Sequence, residues 1–299
     1  MMACAWRLYP SEPMMGEINR REFMAAGAAV VIAGATAASQ QPTLTPRRVV
    51  EMIQTKLGVP WRSETVDTFK AGNPDTTVRG IATTVMATMS VLERAAAVGR
   101  NFIISHEPTF YGHTDATAEL ESDPIYQRKA ELIKKHDLVV WRFHDHWHMR
   151  RPEPMTQGFL RAMGWEQYLQ ESTRIITIPE TTVGAAARRA EERLGIKALR
   201  VIGNPTTKVV KVAFMPGYGQ LPALMRNLAE ADLVVTGEQR EWEGLYYAHD
   251  AIASGGAKGV IVLGHAVSEE PGMEICAEWL KTFITQVPIE LIRAGEPFI

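Results

Sequence analysis

Cysteine is almost absent from this 299-residue chain: only Cys4 and Cys276 occur. Two thiols can build neither a disulfide framework nor a thiolate zinc site, so any metal must be held by imidazole and carboxylate. An excess of positive charge is also missing, since 32 Lys and Arg face 34 Asp and Glu for a net charge of -2. Nucleic acids and anionic membranes, which are bound by clustered Lys and Arg, are therefore excluded as expected partners. The chain has no apolar run near the roughly 20 residues that span a bilayer. It also lacks a phosphate-binding Gly-x-x-x-x-Gly-Lys-Ser/Thr loop. What it does have is length enough to bury a sizeable core without a metal to hold it together, so a metal site here points to function.

The N-terminus carries Asn19-Arg20-Arg21-Glu22-Phe23-Met24, followed by an apolar run of about eleven residues from Ala25 that passes into the small residues Ala35-Thr36-Ala37-Ala38. This resembles a twin-arginine export signal with small residues suited to a signal peptidase. Residues 1–40 are accordingly expected to be a signal peptide and linker. The mature protein is then periplasmic, with no membrane attachment. Such signals carry proteins that fold before export, which suits a protein loaded with metal beforehand.

Beyond the linker, Pro46 to Leu57 reads as an amphipathic helix capped by Thr45. Val78 to Val85 is β-rich, Ser90 to Val98 is helical, Phe102 to Ile104 is a strand, Pro124 to His136 is helical, and Leu138 to Phe143 is another strand. The second half repeats this grammar. Strands at Val209 to Met215, Asp232 to Thr236 and Val260 to Leu263 alternate with helices at Leu221 to Ala229 and Glu241 to Ala253, and a turn is expected at Pro216 to Gly219. Two further helices, Met155 to Met163 and Thr182 to Leu194, lie between the halves, and no short-period repeat is present. The expected fold class is α/β, with two related lobes (residues 41–160 and 161–299), mainly parallel sheets covered by helices, and a metal site between them.

Polar clusters fall just past these strands, where parallel α/β sheets gather ligands. His106 and Glu107 follow Phe102 to Ile104; His144, His146 and His148 follow the next strand; His265 follows Val260 to Leu263. His265 and Glu269 stand four residues apart at a helix start, so both can face one point. If His144 to His148 is extended, its three imidazoles share one side and Asp145 takes the other. Each cluster also has an ordinary explanation as a turn, a helix cap or a surface histidine run. Taken together they give imidazole and carboxylate donors suited to Zn, Fe, Mn or Co. The candidate ligands are His106, Glu107, the histidines from His144 to His148, His265 and Glu269. Five or six donors exceed the three that a catalytic zinc takes from protein, so two divalent ions are expected, activating water and clamping a carbonyl or phosphoryl oxygen. Trp242 and the Tyr246-Tyr247 pair are read as packing residues.

The order Ser-His-Glu-Pro, His-x-x-x-His, a Gly-rich turn after Phe214, Thr236-Gly237-Glu238 and Gly264-His265-x-x-x-Glu269 resembles the Nif-three-like dinuclear-metal-centre proteins, also described as GTP cyclohydrolase I type 2 homologues. The resemblance runs from about Val49 to Ile292. It implies two related lobes around a two-metal site and a homo-oligomer, commonly a toroidal hexamer. His106, His265 and Glu269 match the family's ligands directly. Glu107 stands where the family has a second His, and His148 stands where it has an Asp, with Asp145 the alternative for that role; the ligand set that the resemblance implies is His106, Glu107, His148, His265 and Glu269. The family's acidic residue at the end of the first strand is missing, with Met86 nearby. Glu238 matches a recurrent Glu and is read as a proton carrier or an orienting partner, and His144 as a general acid/base or orienting group. The function expected is a hydrolase acting on a small-molecule substrate of unassigned identity, since an exported protein meets little GTP. The competing reading is a non-catalytic metal-binding or metal-delivery ring protein.

Overall fold

The computed structural model describes residues 43–170 and 174–298. The export signal expected at residues 1–40 lies outside the described residues. Thr45 caps the first of the described helices, α1 (Pro46–Lys56), by accepting the amide of Arg48, and Pro46 opens it where no hydrogen bond is lost.

Two five-stranded sheets follow. The first contains β1 (Phe69–Ala71), β2 (Ile81–Thr84), β3 (Phe102–Ser105), β4 (Val139–Arg142) and the C-terminal β10 (Ile289–Leu291), in the order β1-β4-β3-β2-β10. Only β1 runs antiparallel to its neighbour. The connections are helices α2 (Met89–Ala97) and α3 (Pro124–Lys135). A one-turn helix α4 (Asp145–Met149) and then α5 (Pro154–Met163) lead out of β4. The second sheet contains β5 (Ile175–Thr182), β6 (Arg200–Ile202), β7 (Lys208–Tyr218), β8 (Leu233–Glu238) and β9 (Gly259–Val262), in the order β5-β7-β8-β9-β6. Its central three strands are parallel and both edges antiparallel. Helices α6 (Val183–Leu194), α7 (Leu221–Glu230) and α8 (Tyr246–Ala253) belong to this half, and α9 (His265–Lys281) leaves β9.

Period-two alternation divides the core. Phe102 and Ile104 face α1 and α9, while Ile103 faces α2 and α3 across the same strand. In the second sheet Phe214 and Val235 pack with α5 and α6, and Ala213 and Val234 with α7. The last helix joins the two halves. It starts at the end of β9, yet its Met273, Cys276 and Leu280 complete the core of the first sheet, and β10 then pairs with β2.

Three expectations are corrected. His144 to His148 is not an extended segment but the entry to α4. Pro216 to Gly219 is not a free turn, because β7 continues through Tyr218 with a register shift after Met215. Trp242 and Tyr246 do not pack: they lie four residues apart on the outer side and are 73% and 61% exposed, while Leu245 and Ala248 take the inner side.

Candidate metal centre

The carboxyl ends of both sheets meet at one place. His106 and Glu107 extend β3, held alongside β2 by their amides on the carbonyls of Thr84 and Val85. His144 and His148 come from the end of β4 and from α4, Glu238 ends β8, and His265 and Glu269 form the first turns of α9. Because α9 crosses from one sheet to the other, those turns lie against the His106-Glu107 corner.

The helical turn at Asp145 has a cause remote in sequence. Asp67 is buried and accepts the amides of His144, Asp145 and His146 at 2.6, 3.0 and 2.9 Å. These are the donors that a helix start leaves without partners, so the carboxylate from before β1 caps α4 in place of a local residue. With that turn formed, His144 and His148 lie on one side and His146 on the other. His146 is withdrawn from the centre, its Nδ1 on Asp67, its Nε2 accepting the amide of Arg62, and its ring stacked on Trp61 at 3.7 Å. Asp145 is also withdrawn, with one oxygen on His144 Nδ1 and the other accepting from Thr65 and Val66.

Four imidazoles share one design. Each has its Nδ1 on a fixed oxygen: His106 on the Phe143 carbonyl at 3.0 Å, His144 on Asp145 at 2.9 Å, His148 on Glu153 at 2.9 Å and His265 on Glu238 at 2.9 Å. Such a partner on Nδ1 fixes ring orientation and leaves Nε2 available as a ligand. The Nε2 atoms converge. Those of His106 and His148 are 3.1 Å apart, His144 Nε2 is 3.8 Å from Glu107 Oε1, and His265 Nε2 is 3.1 Å from the same oxygen. Two groups of donor atoms, His106 with His144 and His148, and His106 with Glu107 and Glu269, each fall within 4.8 Å.

The carboxylates fit a cation. Glu269 is 2% exposed, and its Oε2 has no hydrogen-bond partner although it lies 3.6 Å from His106 Nε2 and 3.3 Å from His265 Nε2. A buried carboxylate oxygen without a partner is costly, and a metal ion is the partner this donor set suits. Burial alone would raise the Glu107 carboxyl, but hydrogen bonding to His265 and the charges of His265, His144 and Arg142 hold it at about 2. Burial opposes a charge on His265 too, yet Glu107 and Glu269 push it up to about 11. The two carboxylates therefore call for positive charge at the position of His265 Nε2. Burial, with His148 and His144 as neighbours, drives His106 well below the usual imidazole range, so this histidine stays neutral and free to ligate.

Around this cluster the chain is tightly fixed. Arg142 is fully buried, and its guanidinium donates to the His106 carbonyl at 3.0 Å, to Glu107 Oε2 at 3.2 Å and to the His113 carbonyl. Gly217 adopts φ +62°, and a Cβ there would run into the Glu269 carboxylate, so β7 can pass the centre only as glycine.

All five expected ligands thus meet at one place, joined by His144. Glu238 is 56% exposed at its side chain and reaches the cluster only through His265. Asp67, Arg142 and Glu153 were not anticipated. Arg142 did carry a signal, as a charged residue closing an otherwise apolar strand. Glu153 before Pro154 carried the mark of a helix cap.

Two parallel-centred sheets, joined by a helix whose first turns complete a histidine-carboxylate cluster, define an α/β protein with a candidate metal centre. The chain belongs to the Duf34/NIF3 (NGG1p interacting factor 3) family, whose model matches residues 52–296. The fold is similar to Staphylococcus aureus protein SA1388, with a TM-score of 0.68 and 16% identity over 86% of this chain and 99% of that one. A Bacillus cereus protein related to NIF3 gives 0.67 and 15% identity over 87% and 99% of the chains. Reduced HcgD from Methanocaldococcus jannaschii gives 0.57 and 14% over 83% and 98%. No curated protein matches the chain.

Proposed function

We propose that the chain is an exported hydrolase that works with two divalent metal ions. The observation that carries this reading is the convergence of four oriented imidazoles on Glu107 and on the unpartnered Oε2 of Glu269. His106, Glu107, His148, His265 and Glu269 would hold the ions, with His144 a sixth donor. The donor set suits Zn, Fe, Mn or Co, and six donors exceed what one catalytic zinc takes from protein. Bound there, the ions supply Lewis acidity toward a substrate oxygen and toward water at neutral pH.

The chain's own groups support turnover over storage. His106 and Glu269 are buried, whereas the side chains of His144, His148 and His265 are 22%, 30% and 20% exposed, so the cluster opens to solvent on one side. Glu238, exposed and bonded to His265 Nδ1, would carry a proton between the cluster and solvent. Export is supported by the Arg20-Arg21 pair and the apolar run behind it, and a homo-oligomeric ring by the family resemblance.

Elemental analysis of the chain purified without added metal, together with a hydrolase substrate screen, tests the reading. Two ions per chain and metal-dependent turnover are expected. His265→Ala combined with Glu269→Gln should remove both, and turnover that survives without metal overturns the proposal.

A further inference from the structure

A cavity of about 440 Å3 opens beside the cluster, at the carboxyl ends of β8 and β9. Its volume is that of a small-molecule site, which is typically about 300–1,000 Å3 and mostly apolar with a few convergent polar groups. The walls divide by chemistry. Ala198, Leu199, Val262, Leu263 and Phe298 supply apolar surface, and the backbone of Gly237 and Gly264 completes that side. Polar groups enter at Glu238 and His265, the pair that leads directly to the metal-binding cluster. Arg200 also lines the cavity, but its guanidinium is paired with Glu241 at 3.2 Å.

This distribution selects among substrates. A phosphate or nucleotide would meet the carboxylate of Glu238 and a cation already paired, an arrangement that disfavours anions. An uncharged apolar group would instead displace water from Ala198, Leu199 and Phe298. Phe298 is 63% exposed at present, and a ligand covering its ring would bury that surface.

We infer that this cavity receives the uncharged apolar part of the substrate, and that the substrate class is an ester, amide or lactone with an aliphatic or aromatic acyl body, its cleavable bond toward His265. The inference rests on the hydrolase reading for its chemistry and on the cavity for its specificity. In the reaction the acyl C–O or C–N bond breaks and the oxygen of water bonds to the acyl carbon. One proton of that water goes to the leaving alcohol or amine, and the acid product releases the other to solvent.

Two measurements test it on the full chain loaded with metal. The first titrates the protein with the apolar fluorophore anilinonaphthalene sulfonate and with its uncharged analogue N-phenylnaphthylamine. Saturable binding of the uncharged probe, at least tenfold weaker in both Ala198→Trp and Leu199→Trp, is expected, with metal content and melting temperature held near those of the parent. The second compares p-nitrophenyl esters from acetate to octanoate. Here kcat/KM should rise up to about fourfold per methylene, the factor that corresponds to burying one such group, and the rise should flatten in the tryptophan variants.

Uncharged-probe binding unaffected by either tryptophan, or kcat/KM flat with chain length in an active protein, overturns the inference. So does a change of oligomeric mass in the variants with probe binding intact, which would assign the cavity to packing between copies. If the probe binds and is lost on filling the cavity but no ester is hydrolysed, the apolar subsite stands and the hydrolase reading fails.

Discussion

At the scale of single residues, what distinguishes this centre is the oxygen behind each imidazole. Glu153 shows how one side chain can serve two purposes. Its Oε1 takes His148 Nδ1 at 2.9 Å, while its two oxygens accept the amides of Met155 and Thr156 at 3.2 and 2.8 Å and so cap α5. Replacing Glu153 with Ala is expected to cost about 1 kcal/mol of stability through the lost cap. It should also weaken metal binding by roughly 10- to 100-fold through the unanchored imidazole. Glu153→Gln retains a carbonyl oxygen for the cap but lowers the charge, so it should recover more stability than affinity. Thermal melts read the first effect and a competitive chelator titration the second; full affinity in the alanine variant would remove the orienting role.

The candidate ligands were legible because a metal-capable side chain after a buried strand is conspicuous in sequence. Their supports were not. Asp67 lies 77 residues before His144, and no local pattern tells a carboxylate in a loop that it will cap a helix formed beyond β4. The same remoteness explains the misread histidine segment: alternation in His144-Asp145-His146-Trp147-His148 is compatible with a strand, and only the distant cap turns it into a helix.

At the scale of elements, legibility followed burial. The inner strands β3, β4, β7, β8 and β9 carry continuous apolar runs, β2 (Ile-Ala-Thr-Thr) is buried throughout, and all six were anticipated. The four edge strands β1, β5, β6 and β10 are short or half-exposed, with patterns such as Arg200-Val201-Ile202 that resemble loops. Helix α9 presents a different constraint, since it crosses α5 so closely that a Cβ on Gly272 would meet the Cα and sulfur of Met155. In an open helix Gly→Ala gains about 1 kcal/mol from propensity. Here the colliding atoms include backbone, so Gly272→Ala is expected to destabilise by about 1–3 kcal/mol. Because the first turns of α9 carry His265 and Glu269, metal retention should fall as well. A variant with a raised melting temperature would show that the crossing is loose.

At the scale of the whole molecule, the donors are divided between the two sheets: His106, Glu107, His144 and His148 come from the first, and His265 and Glu269 follow the second. An ion held by both sets binds only when the sheets are joined, so it stabilises the global fold by mass action. At 100 times the dissociation constant that gain is about 2.7 kcal/mol. Differential scanning calorimetry should therefore record a higher melting temperature for the metal-loaded chain than for the chelated one, and the difference should vanish when His265→Ala is combined with Glu269→Gln. The mainly parallel α/β class and a site at the strand ends could be read from the sequence. The handover of α9 and β10 to the first sheet could not, because an apolar helix face carries no address for the sheet it will cover.

That handover also imposes an order of events. Glu107 and Glu269 are separated by more than half the sequence, and contacts so distant form only after a large loop has closed. During synthesis the first sheet's histidines exist long before the residues that complete the cluster. The growing chain can hold no finished centre until α9 has emerged, so an ion that needs Glu269 beside His106 and Glu107 would be taken up only by the mature fold.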